Sequence, residues 1–124
     1  MKTILVIDDE KDFAFFVKQN LELMGGYKVL ITTNGREGLS AASRHKPDLI
    51  VLDLVMPEMS GFEVLKALKT NSATMQIPVI MLTAIDTEEA KEKALGLYNE
   101  DYIVKPVAIS VLKAKIDSVL ARSV

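Results

Sequence analysis

The 124-residue chain contains no cysteine, no tryptophan and a single histidine. Without cysteine there are no disulfides, thiolate metal sites or cysteine nucleophiles to consider. The lone histidine, His45, falls near the end of a helix-like segment and reads as a solvated residue, with no case for a phosphohistidine or metal role. Long apolar runs are also missing: stretches such as residues 4–7 fall far short of the roughly 20 residues that a bilayer span requires. The start, Met1-Lys2-Thr3, leads into Asp8 and Asp9 without the apolar stretch and small-residue cleavage site of a secretory signal. A soluble, cytoplasmic protein with no membrane partner is expected. Charge of one sign is lacking too, since 15 Lys and Arg face 17 Asp and Glu for a net charge of -2. Phosphate backbones would have no clustered basic surface to meet, so no direct nucleic-acid contact is expected. Neither GxxxxGK[ST] nor GxGxxG is present, which argues against a nucleotide-phosphate cradle.

The composition itself, 49% apolar and 26% charged, is that of an ordinary globular domain. The length fits one compact domain of roughly 100–150 residues, and residues 1–124 show no linker, repeat or low-complexity segment. Short runs rich in Val, Ile and Leu alternate with longer segments of helical spacing. Strands are predicted at residues 3–7, 27–32, 49–52, 79–82 and 102–104. Their nearly continuous apolar character is that of parallel strands covered on both faces by crossover helices. Ser60 with Glu63 and Asp86 with Glu89 have the spacing of a capping box, and Asn34 with Glu37 is a weaker version. Gly25-Gly26 supplies a left-handed stop for the first helix, while Pro47 and Pro78 precede the third and fourth strands. Phe13, Phe15 and Phe16 crowd the first helix. Two are expected in the core, and an exposed third would mark a partner contact.

In an open parallel sheet, ligands gather beyond the carboxyl ends of the strands. The first strand ends in Asp8-Asp9-Glu10, the third in Asp53, the fourth in Thr83-Ala84, and the fifth runs into Lys105-Pro106. Each has an ordinary reading alone. Asp8-Asp9 reads equally well as a helix cap, Thr83 as a turn residue, Lys105 as a solvated lysine, and Tyr102 as half-buried strand packing. Together they deliver several carboxylates and one lysine to a single edge. Two carboxylates about 4 Å apart repel by roughly 4 kcal/mol at an effective dielectric near 20, so a positive partner is needed. Lys105 neutralises one charge, and hard oxygen ligands without His or Cys favour a Mg²⁺-type ion, Mg²⁺ or Mn²⁺. A carboxylate beside such an ion and a lysine is a workable nucleophile toward a phosphoryl group.

These residues resemble the receiver domain of two-component response regulators. The likeness rests on Asp8-Asp9, Asp53 followed by Met56-Pro57 and Gly61, Thr83-Ala84, and Tyr102 through Lys105-Pro106. It implies an α/β, flavodoxin-like doubly wound fold with a five-stranded parallel sheet in the order 2-1-3-4-5 and helices on both faces. It also implies that Asp53 accepts phosphate from a sensor histidine kinase or phosphotransfer protein with the help of Mg²⁺. Asp9, Asp53 and the Val55 carbonyl would bind the ion directly, and Asp8 through water. Lys105 would hold a phosphoryl oxygen, with Thr83 and Ala84 at the phosphate site. Thr83 would move onto the phosphate and Tyr102 would swing inward, reshaping the face of the fourth helix, fifth strand and fifth helix toward a downstream protein. The Lys105-Pro106 bond is expected to be cis.

Two positions depart from the family pattern. Tyr98-Asn99 stands where a Gly-Ala pair is common, and Val55 and Ile85 put apolar groups where side chains influence the attack of water. Slow self-dephosphorylation is expected. The chain ends soon after an amphipathic helix near residues 111–120, so no output domain is expected within it. A haloacid-dehalogenase-type phosphatase would need Asp-x-Asp at the first strand's end. A flavin carrier would need a Ser/Thr/Gly-rich loop there. A receiver kept only as a binding module is disfavoured by the full set of site residues.

Overall fold

The computed structural model describes residues 1–97 and 99–122. Five strands alternate with five helices: β1 (Lys2–Ile7), α1 (Lys11–Met24), β2 (Tyr27–Thr32), α2 (Gly35–His45), β3 (Leu49–Leu52), α3 (Gly61–Thr70), β4 (Val79–Thr83), α4 (Glu88–Gly96), β5 (Asp101–Val104) and α5 (Ile109–Arg122). The strands form one sheet in the order β2-β1-β3-β4-β5, parallel throughout. The expected order and class are those observed.

The period-2 alternation of each strand divides the core in two. Ile4, Val6, Val29, Leu49, Val51, Ile80, Leu82 and Ile103 face one side, where α1 supplies Ala14, Val17 and Leu21 and α5 supplies Leu112, Ile116, Val119 and Leu120. Leu5, Ile7, Ile50, Leu52, Val79 and Met81 face the other, against α2, α3 and α4. Both faces of the central strands are therefore dry, which is why their sequences read as unbroken apolar runs.

The helix ends follow the sequence with one correction. Ser60 and Glu63 form the capping box of α3, Asn34 accepts from Glu37 N–H at 2.8 Å, and Gly25 and Gly26 have φ of 88° and 92° after α1. Helix α4, however, is capped by Thr87, whose hydroxyl accepts from Ala90 N–H at 3.1 Å. Asp86 instead pairs with Lys91 at 2.8 Å, which removes its carboxylate from the helix end. The aromatic expectation for α1 also fails in part. Phe13 is half-buried against the core, but Phe15 and Phe16 are 52% and 48% exposed. At 100° per residue, neither can share the face set by Ala14, Val17 and Leu21. His45 is exposed at the end of α2, as expected. No described helix is long and apolar enough to cross a membrane.

Candidate functional site

The topology carries Asp8, Asp53, Thr83 and Lys105 to one edge of the sheet. β1, β3 and β4 are neighbours, and each has its polar residue at or just past its carboxyl end. Lys105 follows β5 and stays in register because its N–H donates to the Thr83 carbonyl at 2.8 Å. The peptide bond between Lys105 and Pro106 is cis. Asp53 is 4% exposed, Asp8 3% and Thr83 0%, so the strand ends deliver charge into a place where water screens it poorly.

Lys105 Nζ lies 2.9 Å from Asp8 Oδ2, 2.9 Å from Glu10 Oε1 and 3.8 Å from Asp53 Oδ2. Carboxylate oxygens of Asp8, Glu10 and Asp53 all lie within 4.8 Å of one another. Burial raises the Asp53 carboxyl above its ordinary pKa, although the Lys105 charge and the Thr83 hydroxyl pull the other way. Burial likewise raises Asp8, opposed by the Glu10 N–H and by Lys105. Burial works against the Lys105 ammonium too, but its bonds to Glu10 and Asp8 outweigh that and raise its pKa. One ammonium thus serves three carboxylates, leaving a net negative site.

That donor set fits a hard divalent cation: oxygen ligands only, clustered closely, with no His or Cys among the grouped residues. The cluster differs in one member from the sequence expectation, since it contains Glu10 rather than Asp9. Asp9 lines the adjoining cleft of about 280 Å³ with Glu10, Asp53, Val55, Thr83 and Ala84. This falls just below the roughly 300–1,000 Å³ of sites that bury small organic molecules, and it suits an ion and a phosphoryl group better than a nucleotide. Asp8 accepts from the Glu10 N–H at 2.9 Å, but it does not cap α1 as the sequence allowed: Glu10 is the N-cap residue, and no described side chain bonds the first-turn N–H groups.

Beyond the cleft, the Ile85 N–H is 3.4 Å from the Thr83 hydroxyl, and the Tyr102 hydroxyl donates to the Ile85 carbonyl at 2.7 Å. Thr83 and Tyr102 are thereby linked through one loop residue. Val55 is 58% exposed, and Ala84 is exposed at the cleft. Tyr98 lies outside the described residues. Its neighbour Asn99 donates from its side chain to the Asp101 carbonyl at 2.5 Å. Two residues that sequence reasoning did not assign to the site, Glu10 and Phe13, both contact Lys105.

Comparison with known proteins gives a consistent result. The family model described as "Response regulator receiver domain" matches residues 4–117. The chain is 40% identical over 122 residues to the alkaline phosphatase synthesis transcriptional regulatory protein PhoP of Bacillus subtilis (strain 168), covering 98% of this chain and 50% of that one. It is 39% identical to the phosphate regulon transcriptional regulatory protein PhoB of Pseudomonas aeruginosa, covering 98% and 53%. The chain therefore spans about half the length of these curated relatives. Among solved structures, a CheY-like receiver domain protein from Methanospirillum hungatei JF-1 superposes with a TM-score of 0.92 at 30% identity, covering 99% and 96%. Chemotaxis protein CheY4 of Vibrio cholerae gives 0.90 at 31% identity, covering 96% and 98%.

Proposed function

Because this chain belongs to the response-regulator receiver family, we propose that residues 1–124 act as one phosphorylation switch, with Asp53 the acceptor of a phosphoryl group from a sensor histidine kinase or phosphotransfer protein. The observation that carries this reading is the buried Asp53 carboxylate at the end of β3, with Lys105 Nζ 3.8 Å away and Thr83 buried on the adjacent strand. An Asp53 carboxylate oxygen attacks phosphorus, and the P–N bond of the phosphohistidine breaks with its electron pair passing to the imidazole. That nitrogen is protonated, and an acyl phosphate remains on Asp53. A Mg²⁺ or Mn²⁺ ion held by Asp9, Asp53 and the Val55 carbonyl, with Asp8 acting through water, would supply charge neutralisation for the phosphoryl oxygens. Lys105 holds one of those oxygens.

The product is a conformation rather than a released chemical. Thr83 moves its hydroxyl onto the phosphoryl group and gives up the Ile85 N–H, and Tyr102, tied to the same residue, moves with it. Helix α4 follows readily because only Ala90 and Ala94 anchor it in the core, and elements with little buried apolar area move at low free-energy cost. The face that changes comprises α4, β5 and α5, where Leu95 is 71% and Val111 47% exposed, and it meets a downstream protein. The near-neutral charge of the 124 residues as a whole, -2, supports a protein target over direct contact with nucleic acid.

The test is intact-protein mass spectrometry after incubation with phosphoramidate, with Mg²⁺ or with a chelator. One phosphoryl group is expected with Mg²⁺ and none with chelator. After removal of the donor it should persist well beyond seconds, because Val55 and Ile85 bring no polar group to orient water. Absence of uptake in folded protein would instead favour a binding module that no longer takes phosphate, and a lifetime of seconds would sink the claim about water.

A further inference from the structure

Lys105 is seated more elaborately than a phosphoryl contact alone requires. Its ammonium makes one 2.9 Å bond to Glu10 Oε1 and lies 4.3 Å from the centroid of the Phe13 ring. Asp8 takes a second 2.9 Å bond. All three partners come from the end of β1 and the start of α1, and the direction toward Asp53 is the long one, at 3.8 Å. The Lys105 side chain is only 11% exposed there, whereas that of Glu10 is 62% exposed. A tight Lys105–Asp53 pair would occupy the lone pairs that the nucleophile needs for attack. An ammonium held one step back leaves those lone pairs free and remains close enough to meet the incoming phosphoryl oxygens.

Resting on the phosphoacceptor reading above, we propose that Glu10 and Phe13 are positioning residues: before phosphorylation they hold the Lys105 ammonium on the β1 side of the cleft, away from Asp53, and they release it to the phosphoryl group afterwards. Glu10 does so by a charge-assisted hydrogen bond, and Phe13 by the negative face of its ring. Their influence is confined to the forward reaction, because in the phosphorylated protein Lys105 has left them.

The experiment measures phosphorylation by phosphoramidate over a range of donor and Mg²⁺ concentrations, followed by hydrolysis after donor removal. The proteins compared are the wild type, Glu10→Gln, Glu10→Asp and Phe13→Leu, each checked for an unchanged fold by its amide NMR spectrum. Loss of a half-exposed ion pair predicts a maximal phosphorylation rate about two- to fivefold lower in both Glu10 variants. Phe13→Leu should move the same way. The KM for phosphoramidate and the hydrolysis rate should stay at wild-type values, and so should the Mg²⁺ midpoint in the charge-preserving Glu10→Asp and in Phe13→Leu. Glu10→Gln, which removes a carboxylate within 4.8 Å of Asp8 and Asp53, should raise that midpoint and is read at saturating Mg²⁺. Aspartate is the decisive substitution, since it keeps the charge but loses a methylene of reach and should match glutamine in maximal rate. A wild-type rate in Glu10→Asp would show that only local charge matters and overturn the proposal. So would a Mg²⁺ midpoint that shifts with the rate in Glu10→Asp, where the charge is kept, which would make Glu10 a metal ligand, or a hydrolysis rate that changes equally. Failure of the phosphoacceptor reading shows separately, as no uptake by the wild type.

Discussion

Asp53→Asn is expected to take up no phosphoryl group and to melt several degrees above the wild type. The first effect follows because an amide has no anionic oxygen to attack phosphorus. The second follows from the electrostatics of the strand ends. Carboxylate oxygens of Asp8, Glu10 and Asp53 lie within 4.8 Å of one another, and two unit charges at that separation repel by roughly 3.5 kcal/mol at an effective dielectric near 20. Lys105 offsets only part of this. Burial raises the folded-state pKa of Asp53 and of Asp8, so the folded chain binds these protons more tightly than the unfolded chain does. Stability therefore falls as pH rises from the ordinary carboxylate range through the raised values, and the loss is complete above them. Asparagine removes the Asp53 share of that loss. A rise in Tm of several degrees at neutral pH, the scale that about 1 kcal/mol from a single substitution gives in a domain of this size, is expected and narrows as the pH falls. Thermal melts across pH test this, and a lower Tm or a pH-independent difference would refute it.

Gly61→Ala is expected to destabilise the fold by about 3 kcal/mol, at the upper end of overpacking effects. A Cβ at this position would sit 2.2 Å from the Asp53 carbonyl oxygen and 2.7 Å from Leu54 Cα. Both are backbone atoms, so no side chain can turn aside. The Gly61 N–H also donates to the Leu54 carbonyl at 2.8 Å, which fixes the start of α3 against the turn that carries Asp53. Relief of the clash must move that turn, and phosphorylation should slow along with the loss of stability. Gly96→Ala is the control, because a Cβ there meets nothing within 4 Å. Denaturant unfolding measures both variants. A change within about 0.5 kcal/mol for Gly61→Ala, the usual range for surface positions, would contradict the close approach.

Much of this structure was legible because burial on two faces writes an unbroken apolar run. The third strand was predicted at residues 49–52 and is observed there. The fourth extends one residue further than the apolar run because Thr83, though polar, continues the pairing with β5. Strand order came from family resemblance, since nothing in the local pattern says which strands are neighbours. The start of α4 was misread because Asp86 and Thr87 are both good caps, and only the Lys91 partner decides between them. Phe15 and Phe16 were misjudged in part because apolar character was weighed above helical phase. Asp53, Thr83 and Lys105 were legible because each polar residue closes a greasy strand. Glu10 was not, because an acid beside two others at a helix start has a sufficient local explanation. Its contact with Lys105, 95 residues away along the chain, exists only after folding.

The central claim is that phosphorylation of Asp53 alters the α4, β5 and α5 face through Thr83 and Tyr102. Its most direct measurement is a pair of amide NMR spectra, with and without phosphoramidate in Mg²⁺, for the wild type and Thr83→Ala. In the wild type, phosphorylation is expected to shift signals around Asp53 and also those of Ile85, α4 and β5. In Thr83→Ala the shifts should stay around Asp53. Equal shifts on the far face in both proteins, or none there in either, would contradict the switch.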